Sequence, residues 1–298
     1  MSDARFPALP RRRLLLRAAA LPFLAGCQGI APTPRLSTAL AQLQALEQTL
    51  DGRLGLCAID TANGQSLAWR AAERFPLCST FKAVLAAAVL AQDSRSPGLL
   101  QRRIRYTSQD LVTYSPVTQA HVGDGMTVDA LCAAAVQHSD NTAGNLLLQL
   151  IGGPAGLTAY ARSVGDTAFR LDRWETALNT ALPGDERDTT TPAAMSATLK
   201  RLALDAELDA PRRAQLQDWL VGNTTGGARI RAGVPAGWRV GDKTGTGDYG
   251  STNDIAVLWP PQRAPVTLAI YLTGTVRDAG PRNEVVAQAA RIVANWLA

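Results

Sequence analysis

Two alcohols and two amines, far apart in the chain, define what chemistry this sequence can do: Ser79, Lys82, Ser139 and Lys243. In Ser79-Thr80-Phe81-Lys82 a hydroxyl heads a predicted helix and an amine follows three residues on, so both project from one side of the first turn. A seryl oxygen attacks only when a neighbouring base takes its proton, and such an amine can take it only while neutral. Alone, S-x-x-K is a common pattern, a cap followed by a solvated Lys. Here the following run Ala83 to Leu90 (A-V-L-A-A-A-V-L) is apolar all round and marks a buried helix, so the amine at its head needs a reason. Ser139-Asp140-Asn141 lies between two helical segments and by itself is an ordinary helix start. Lys243-Thr244-Gly245 lies on a predicted strand, where a lone charge usually guards an edge. The chain holds 30 Lys and Arg but only three are Lys (Lys82, Lys200, Lys243), and two of these three fall in the motifs.

Composition narrows the chemistry further. A chain of 298 residues, 46% hydrophobic and 18% charged, can bury a large core, which excludes disordered and collagen-like classes. Two His and four Cys are too few for a His-rich zinc site, so hydroxyls, carboxylates and amines must carry the reaction, with no metal and no organic cofactor expected. The formal charge is +5, but residues 1–26 hold five Arg against one Asp, leaving +1 on the remainder. Nucleic-acid binding is not expected, because it needs a concentrated basic face.

The elements that must position these groups follow from periodicity. Leu36, Leu40, Leu43, Leu46 and Leu50 make the stripe of an amphipathic helix that Asp51-Gly52 ends. Arg53 to Asp60 and Ser66 to Arg70 read as strands joined by a turn at Asn63-Gly64. Helices are predicted over Thr80–Gln92, Thr127–His138, Asn141–Ile151, Pro154–Ser163, Pro192–Leu204 behind the cap Thr191, and Pro211–Val221, three of them opening on proline. Strands resume at Trp238–Thr244, Asn253–Trp259 and Pro265–Thr273, and a helix from Arg282 closes the chain. Strands at both ends with helices between them predict an α+β fold: one antiparallel sheet built from both termini and flanked by helices, with an all-helical insertion and the cleft between the two. The sheet part is expected over 35–75 plus 220–298 and the helical part over 76–219. The stretch 170–190 has no clean periodicity and reads as a long packed loop of the functional kind.

The N-terminus carries Arg11 to Arg17 (R-R-R-L-L-L-R), a short apolar run and then Leu24-Ala25-Gly26-Cys27. This resembles a twin-arginine (Tat) export signal ending in a lipobox, so residues 1–26 are expected to be removed and Cys27 lipidated. The apolar run is about half of the ~20 residues needed to span a bilayer. Cys57, Cys78 and Cys132 would remain, an odd number that cannot all pair, and a cargo folded in a reducing compartment keeps such thiols free.

The three motifs, in this order, are those of class A β-lactamases and penicillin-binding proteins, and the resemblance covers essentially the whole chain after Cys27. It extends to Trp174-Glu175-Thr176-Ala177-Leu178-Asn179, similar to the E-x-x-L-N element of the class A omega loop, with Arg173 and Asp188 where that family closes the loop by an ion pair. The chain looks most like the lipid-anchored chromosomal penicillinases of Gram-negative bacteria. The resemblance implies a β-lactamase/transpeptidase-like fold over 27–298. It implies Ser79 as nucleophile, Lys82 or Glu175 as acylation base, Ser139 as proton donor to the lactam nitrogen, and Glu175 with Asn179 as the pair that holds and deprotonates the deacylating water. Lys243, Thr244, Gly245, Thr246 and Arg229 would line the site of the substrate carboxylate. Asn141 would meet the acylamino side chain, Tyr114 would stand at the gate, and the N–H groups of Ser79 and Thr246 would hold the oxyanion. The implied activity is hydrolysis of penicillins and early cephalosporins by a monomer held by its lipid to a periplasmic membrane face, the outer membrane by the hint of Gln28. In the carbapenem-hydrolysing branch a cysteine at the place of Cys78 pairs with one just after K-T-G. This sequence has Gly247 there, which argues against that bond and against carbapenem turnover. A D-alanyl-D-alanine peptidase and a β-lactam sensor that acylates once are the rival readings.

Overall fold

The Leu stripe folds as α1 (Pro34–Glu47) and buries Ala39, Leu43 and Leu46. The computed structural model describes Met1 and residues 34–298, so the export segment 1–26 and Cys27 lie outside the described residues. From α1 the chain enters β1 (Gly52–Asp60) and β2 (Ser66–Trp69), whose connecting turn holds Gly64 at φ +74°. Then come β3 (Phe75–Pro76), a 3-10 turn at Cys78–Thr80 and α2 (Phe81–Arg95), whose residues 81–90 are all buried, as an all-round apolar helix must be. The helical part continues through β4 (Arg103–Ile104), β5 (Met126–Thr127), α3 (Val128–Gln137), α4 (Asn141–Leu150), α5 (Gly153–Ser163), β6 (Thr189–Thr190), α6 (Pro192–Ala203) and α7 (Ala210–Val221). The side chains of Thr127, Asp140, Thr191 and Asp209 accept backbone N–H groups in the first turns of α3, α4, α6 and α7, which is why these helices start where they do. A single-turn α8 (Ile230–Gly233) precedes β7 (Arg239–Thr246), β8 (Thr252–Trp259), β9 (Val266–Gly274) and α9 (Asn283–Leu297).

The five long strands form one antiparallel sheet in the order β2-β1-β9-β8-β7. Residues 52–60 of β1 lie against 266–274 of β9, so the two ends of the chain share one sheet, as expected for an α+β fold. The two-residue pairings β3 with β6 and β4 with β5 were not expected, since pairs so short leave no period in the sequence.

Each face of the sheet has its own core. On one, α1 and α9 cover Leu54, Leu56, Ala58, Leu268 and Ile270. On the other, Ile255, Val257, Ala269 and Tyr271 join Phe75, Phe81, Met195 and Leu199 beneath the helical part. Although α6 belongs by sequence to the helical stretch, it packs along β1, β8 and β9, and Ser196 meets Thr267 at 3.0 Å. It helps tie the two parts together, as α7 does against β7. The site forms where the head of α2, the start of α4 and the edge strand β7 converge.

Candidate active site

Ser79 sits in the 3-10 turn that leads into α2, and Lys82 in the first turn of α2 itself. Neighbouring backbone is held in sparsely populated conformations: Cys78 has φ +44°, Tyr114 +63° and Ser139 +57°. Non-glycine residues in this region are strained, and such strain gathers at functional sites.

The Lys82 amine is fully buried and donates to Asn141 Oδ1 (2.6 Å), Ser139 O (2.9 Å) and Ser79 Oγ (3.1 Å), with Glu175 Oε1 at 3.0 Å. Four oxygens surround a group that as an ammonium has three hydrogens. Ser139 O accepts only, and Asn141 Oδ1 does too, because Asn141 Nδ2 is committed to Thr113 O. Two N–H bonds are therefore fixed, and the remaining position faces Ser79 and Glu175. Burial lowers the Lys82 pKa, while the Glu175 charge and hydrogen bond oppose it. That favours an amine able to alternate between charged and neutral.

Glu175 comes from the loop 170–190. Its Oε1 accepts from Ser79 Oγ at 3.3 Å and its Oε2 from Asn179 Nδ2 at 2.6 Å. Asn179 Oδ1 is buried without a hydrogen-bond partner among the described residues. The loop is closed by Asp188, which accepts Arg173 Nε at 2.5 Å and the N–H groups of Asp172 and Arg173. Asn145 ties it to α4 by accepting Glu175 N and donating to Glu175 O, both at 3.0 Å.

Across the cleft Lys243 donates to Ser139 Oγ (3.0 Å) and to Thr244 O (2.8 Å). It stands on the edge strand but is fully buried, so the ordinary role of an edge-strand charge does not apply. Burial and then the Lys82 charge push its pKa well below the usual range for lysine, against Asp242 and Asp254, which raise it. For Lys82 itself the cause that lowers the pKa is burial.

Arg229 is also buried, and its guanidinium donates to Asn283 Oδ1, Gly245 O, Asn253 O and Thr246 Oγ1. Of its five N–H bonds one is left, so its reach toward a ligand passes mainly through the Thr246 hydroxyl. The cleft has a volume of about 330 Å³, and Ser79, Tyr114, Ser139, Asn141, Asn179, Arg229, Thr244, Gly245 and Thr246 line it as the sequence suggested. Lys82, Glu175 and Lys243 lie buried beneath that lining. Gly245 is there because a Cβ would come within 2.9 Å of Leu77 O, so only glycine lets β7 lie this close to the nucleophile's turn.

Sequence reasoning missed Asn145 and Thr225, whose Oγ1 meets Thr244 Oγ1 at 2.6 Å. Asn145 was detectable, being one turn after Asn141 on the same helix face. The three described cysteines are buried free thiols, and burial pushes the Cys57 thiol up to about 11. A Cβ on Gly247 would lie 2.8 Å from Cys78 Sγ, so this glycine does occupy the space facing that thiol. Among the described residues no cluster of His, Cys, Asp or Glu is built to hold a metal ion.

Comparison with known proteins places this geometry. Residues 38–297 match the model of the β-lactamase enzyme family. The chain is 52% identical to the carbapenem-hydrolyzing β-lactamase KPC of Klebsiella oxytoca over 97% of this chain and 98% of that protein. It is 50% identical to β-lactamase AST-1 of Nocardia asteroides over 98% and 99%. The crystal structure of the β-lactamase of Desulfarculus baarsii, 62% identical, superposes with a TM-score of 0.87 over 88% of this chain and 98% of that one.

Proposed function

The chain belongs to the class A serine β-lactamases, hydrolases that open β-lactams and confer resistance to them, and we propose that its substrates are penicillins and early cephalosporins, turned over through an acyl-enzyme on Ser79. In acylation the Ser79 oxygen bonds to the lactam carbonyl carbon while its proton passes into the Lys82–Glu175 pair, whose members both reach Ser79 Oγ directly. The C–N bond breaks, and Ser139, kept supplied by Lys243 at 3.0 Å, gives its hydroxyl proton to the departing nitrogen. Backbone N–H groups of Ser79 and Thr246 hold the oxyanion, each worth about 10²–10³ in rate. The substrate carboxylate lies against Thr244, Thr246 and the positive charge of Lys243, with Arg229 acting behind Thr246.

Deacylation reverses the proton path. Glu175 takes a proton from water, the water oxygen bonds to the ester carbon, and the Ser79 oxygen leaves and regains its proton. The unpartnered Asn179 Oδ1 beside Glu175 is a second acceptor for that water. The observation that carries this reading is the Glu175 carboxylate, buried, 3.3 Å from the nucleophile and fixed by Asn179. Penicillin-binding peptidases lack that element and stay acylated. Glu175→Ala is expected to accumulate a penicilloyl adduct on Ser79, seen by mass spectrometry, that wild type clears. An unchanged adduct lifetime would point to the peptidase reading instead.

Carbapenem turnover far below that of benzylpenicillin is expected in the same assay, because Gly247 leaves Cys78 without a disulfide partner. The relative KPC is carbapenem-hydrolyzing by name, so comparable carbapenem and penicillin rates would overturn this part of the reading. The protein acts as a monomer in the periplasm, exported by Tat and anchored through lipid on Cys27. Cys27→Ala is expected to move activity from the membrane fraction to the soluble one, and activity that stays with the membrane would refute the anchor.

A further inference from the structure

Two threonine hydroxyls on β7 line the cleft, and their surroundings polarise them in opposite senses. Thr246 Oγ1 accepts from Arg229 Nη2 at 2.7 Å, so its own hydrogen is free to be offered to a ligand. Thr244 Oγ1 lies 2.6 Å from Thr225 Oγ1, and what stands behind Thr225 decides which of the two donates. Asn223 Nδ2 donates to Asp242 Oδ2 at 2.6 Å, which fixes Asn223 Oδ1 as the acceptor end of that amide. This oxygen accepts Thr225 N at 3.0 Å and the Thr225 hydroxyl at 2.8 Å. The one hydrogen of Thr225 is spent there, so towards Thr244 its oxygen accepts. The hydrogen of Thr244 therefore points at Thr225, and only lone pairs are left to face the cleft. The chain around Thr225 is pinned in turn, because Gln137 O at the end of α3 accepts both Thr224 N and Thr224 Oγ1 at 2.9 Å.

We propose that Thr225 is a positioning residue that acts as a latch: it holds the Thr244 hydrogen out of the cleft, a carboxylate must take that hydrogen from it to bind, and the latch closes again as the product leaves. Binding then exchanges one hydrogen bond for another. The Thr244 hydroxyl turns about its Cβ–Oγ bond, the bond to Thr225 breaks and one to the carboxylate forms. A bond to an anion is stronger than one to a neutral oxygen, so the exchange runs forward. Its net gain is smaller by the bond given up, and affinity falls by that amount. Ring opening leaves the carboxylate of the substrate in place, so the ring-opened acid meets the same competitor and is released sooner for it. The assignment of this wall to a carboxylate rests on the hydrolase reading above; the direction of the Thr244 hydrogen does not.

The test is the binding of benzylpenicilloate, the ring-opened acid, measured by calorimetry. Thr225→Val keeps the branched shape and removes the acceptor, so its Kd should fall about threefold to tenfold below that of wild type, the worth of one neutral hydrogen bond. Thr225→Ser keeps the oxygen and should bind as wild type does. Thr225→Ala lacks the acceptor too and should match the valine variant, which keeps the proposal open to refutation if valine does not fold. Because the latch works through Thr244, the gain must vanish when Thr225→Val is combined with Thr244→Val and compared with Thr244→Val alone. With benzylpenicillin, Thr225→Val should leave kcat within about twofold of wild type, since the bonds that change at Ser79 are not made by this wall. A Kd that is unmoved or raised in Thr225→Val, or a gain that survives the loss of the Thr244 hydroxyl, overturns the latch. Wild type that turns over no benzylpenicillin would sink the hydrolase reading and the latch together, whereas turnover with an unmoved Kd sinks the latch alone.

Discussion

The proton arithmetic around Lys82 sets the strictest demand in this molecule. Two of its N–H bonds are held by Ser139 O and Asn141 Oδ1, so the third site is either a proton offered to Ser79 and Glu175 or a lone pair able to receive one. Burial lowers the amine's pKa, so the neutral form is reached at lower pH than for an exposed lysine, and the base-competent fraction grows as pH rises through that lowered value. An arginine keeps its charge at any working pH and has no lone pair to offer. It also lacks room, since a Cβ on Gly144 would already lie 3.0 Å from Lys82 Cε. Lys82→Arg is therefore expected to lower the acylation rate about 10²–10⁴-fold, the span that positioned base catalysis supplies. Stopped-flow acylation with a chromogenic cephalosporin measures this. A loss under tenfold would show that a neutral amine is not needed.

At the scale of elements, the loop 170–190 has no repeating pattern to fix it, and three attachments replace one. Asp188 gathers two backbone N–H groups and the Arg173 guanidinium, Arg173 also reaches Thr180, and Asn145 clips Glu175 to α4. Asp188 is fully buried, so removing its cation leaves a carboxylate in a dry site. The cost of breaking such a pair is about 3 kcal/mol or more, and for a domain of this size each kcal/mol lowers Tm by roughly 2–4 °C. Arg173→Ala should show that drop in a thermal melt. Because Glu175 rides on this loop while Ser79 and Lys82 ride on α2, the variant should also slow deacylation more than acylation, so that adduct accumulates during turnover. Equal slowing of both steps would mean that the loop positions more than the hydrolytic carboxylate.

On the scale of the whole molecule, what could be read from sequence was what repeats or what is chemically conspicuous. The Leu stripe of α1, the hairpin at Asn63-Gly64, the prolines opening helices and the lysines of an arginine-rich chain all left such marks. The Thr225–Thr244 contact left none, because it is a relation between elements distant in sequence, and a period within one element says nothing about which neighbour it will face. For the same reason α6 reads as one more helix of the insertion, yet it packs on the sheet and joins the two parts.

That placement divides labour between the faces of the sheet. The cleft draws on the core beneath the helical part, with Phe81, Tyr271 and Leu77 close to the nucleophile's turn, whereas α1 and α9 fill the opposite face. Leu43 of α1 is fully buried there and is not among the residues that line the cleft. Leu43→Ala deletes buried methyl groups in a dense core and should destabilise the protein by about 2–5 kcal/mol in urea or thermal unfolding. Its kcat/KM for benzylpenicillin, measured well below the transition, should stay within twofold of wild type, because the five-stranded sheet between the two cores does not deform to relieve a cavity on its far side. A tenfold fall in kcat/KM with the folded population intact would show that the α1 face is mechanically coupled to the cleft and that stability and chemistry are not divided between the two faces of the sheet.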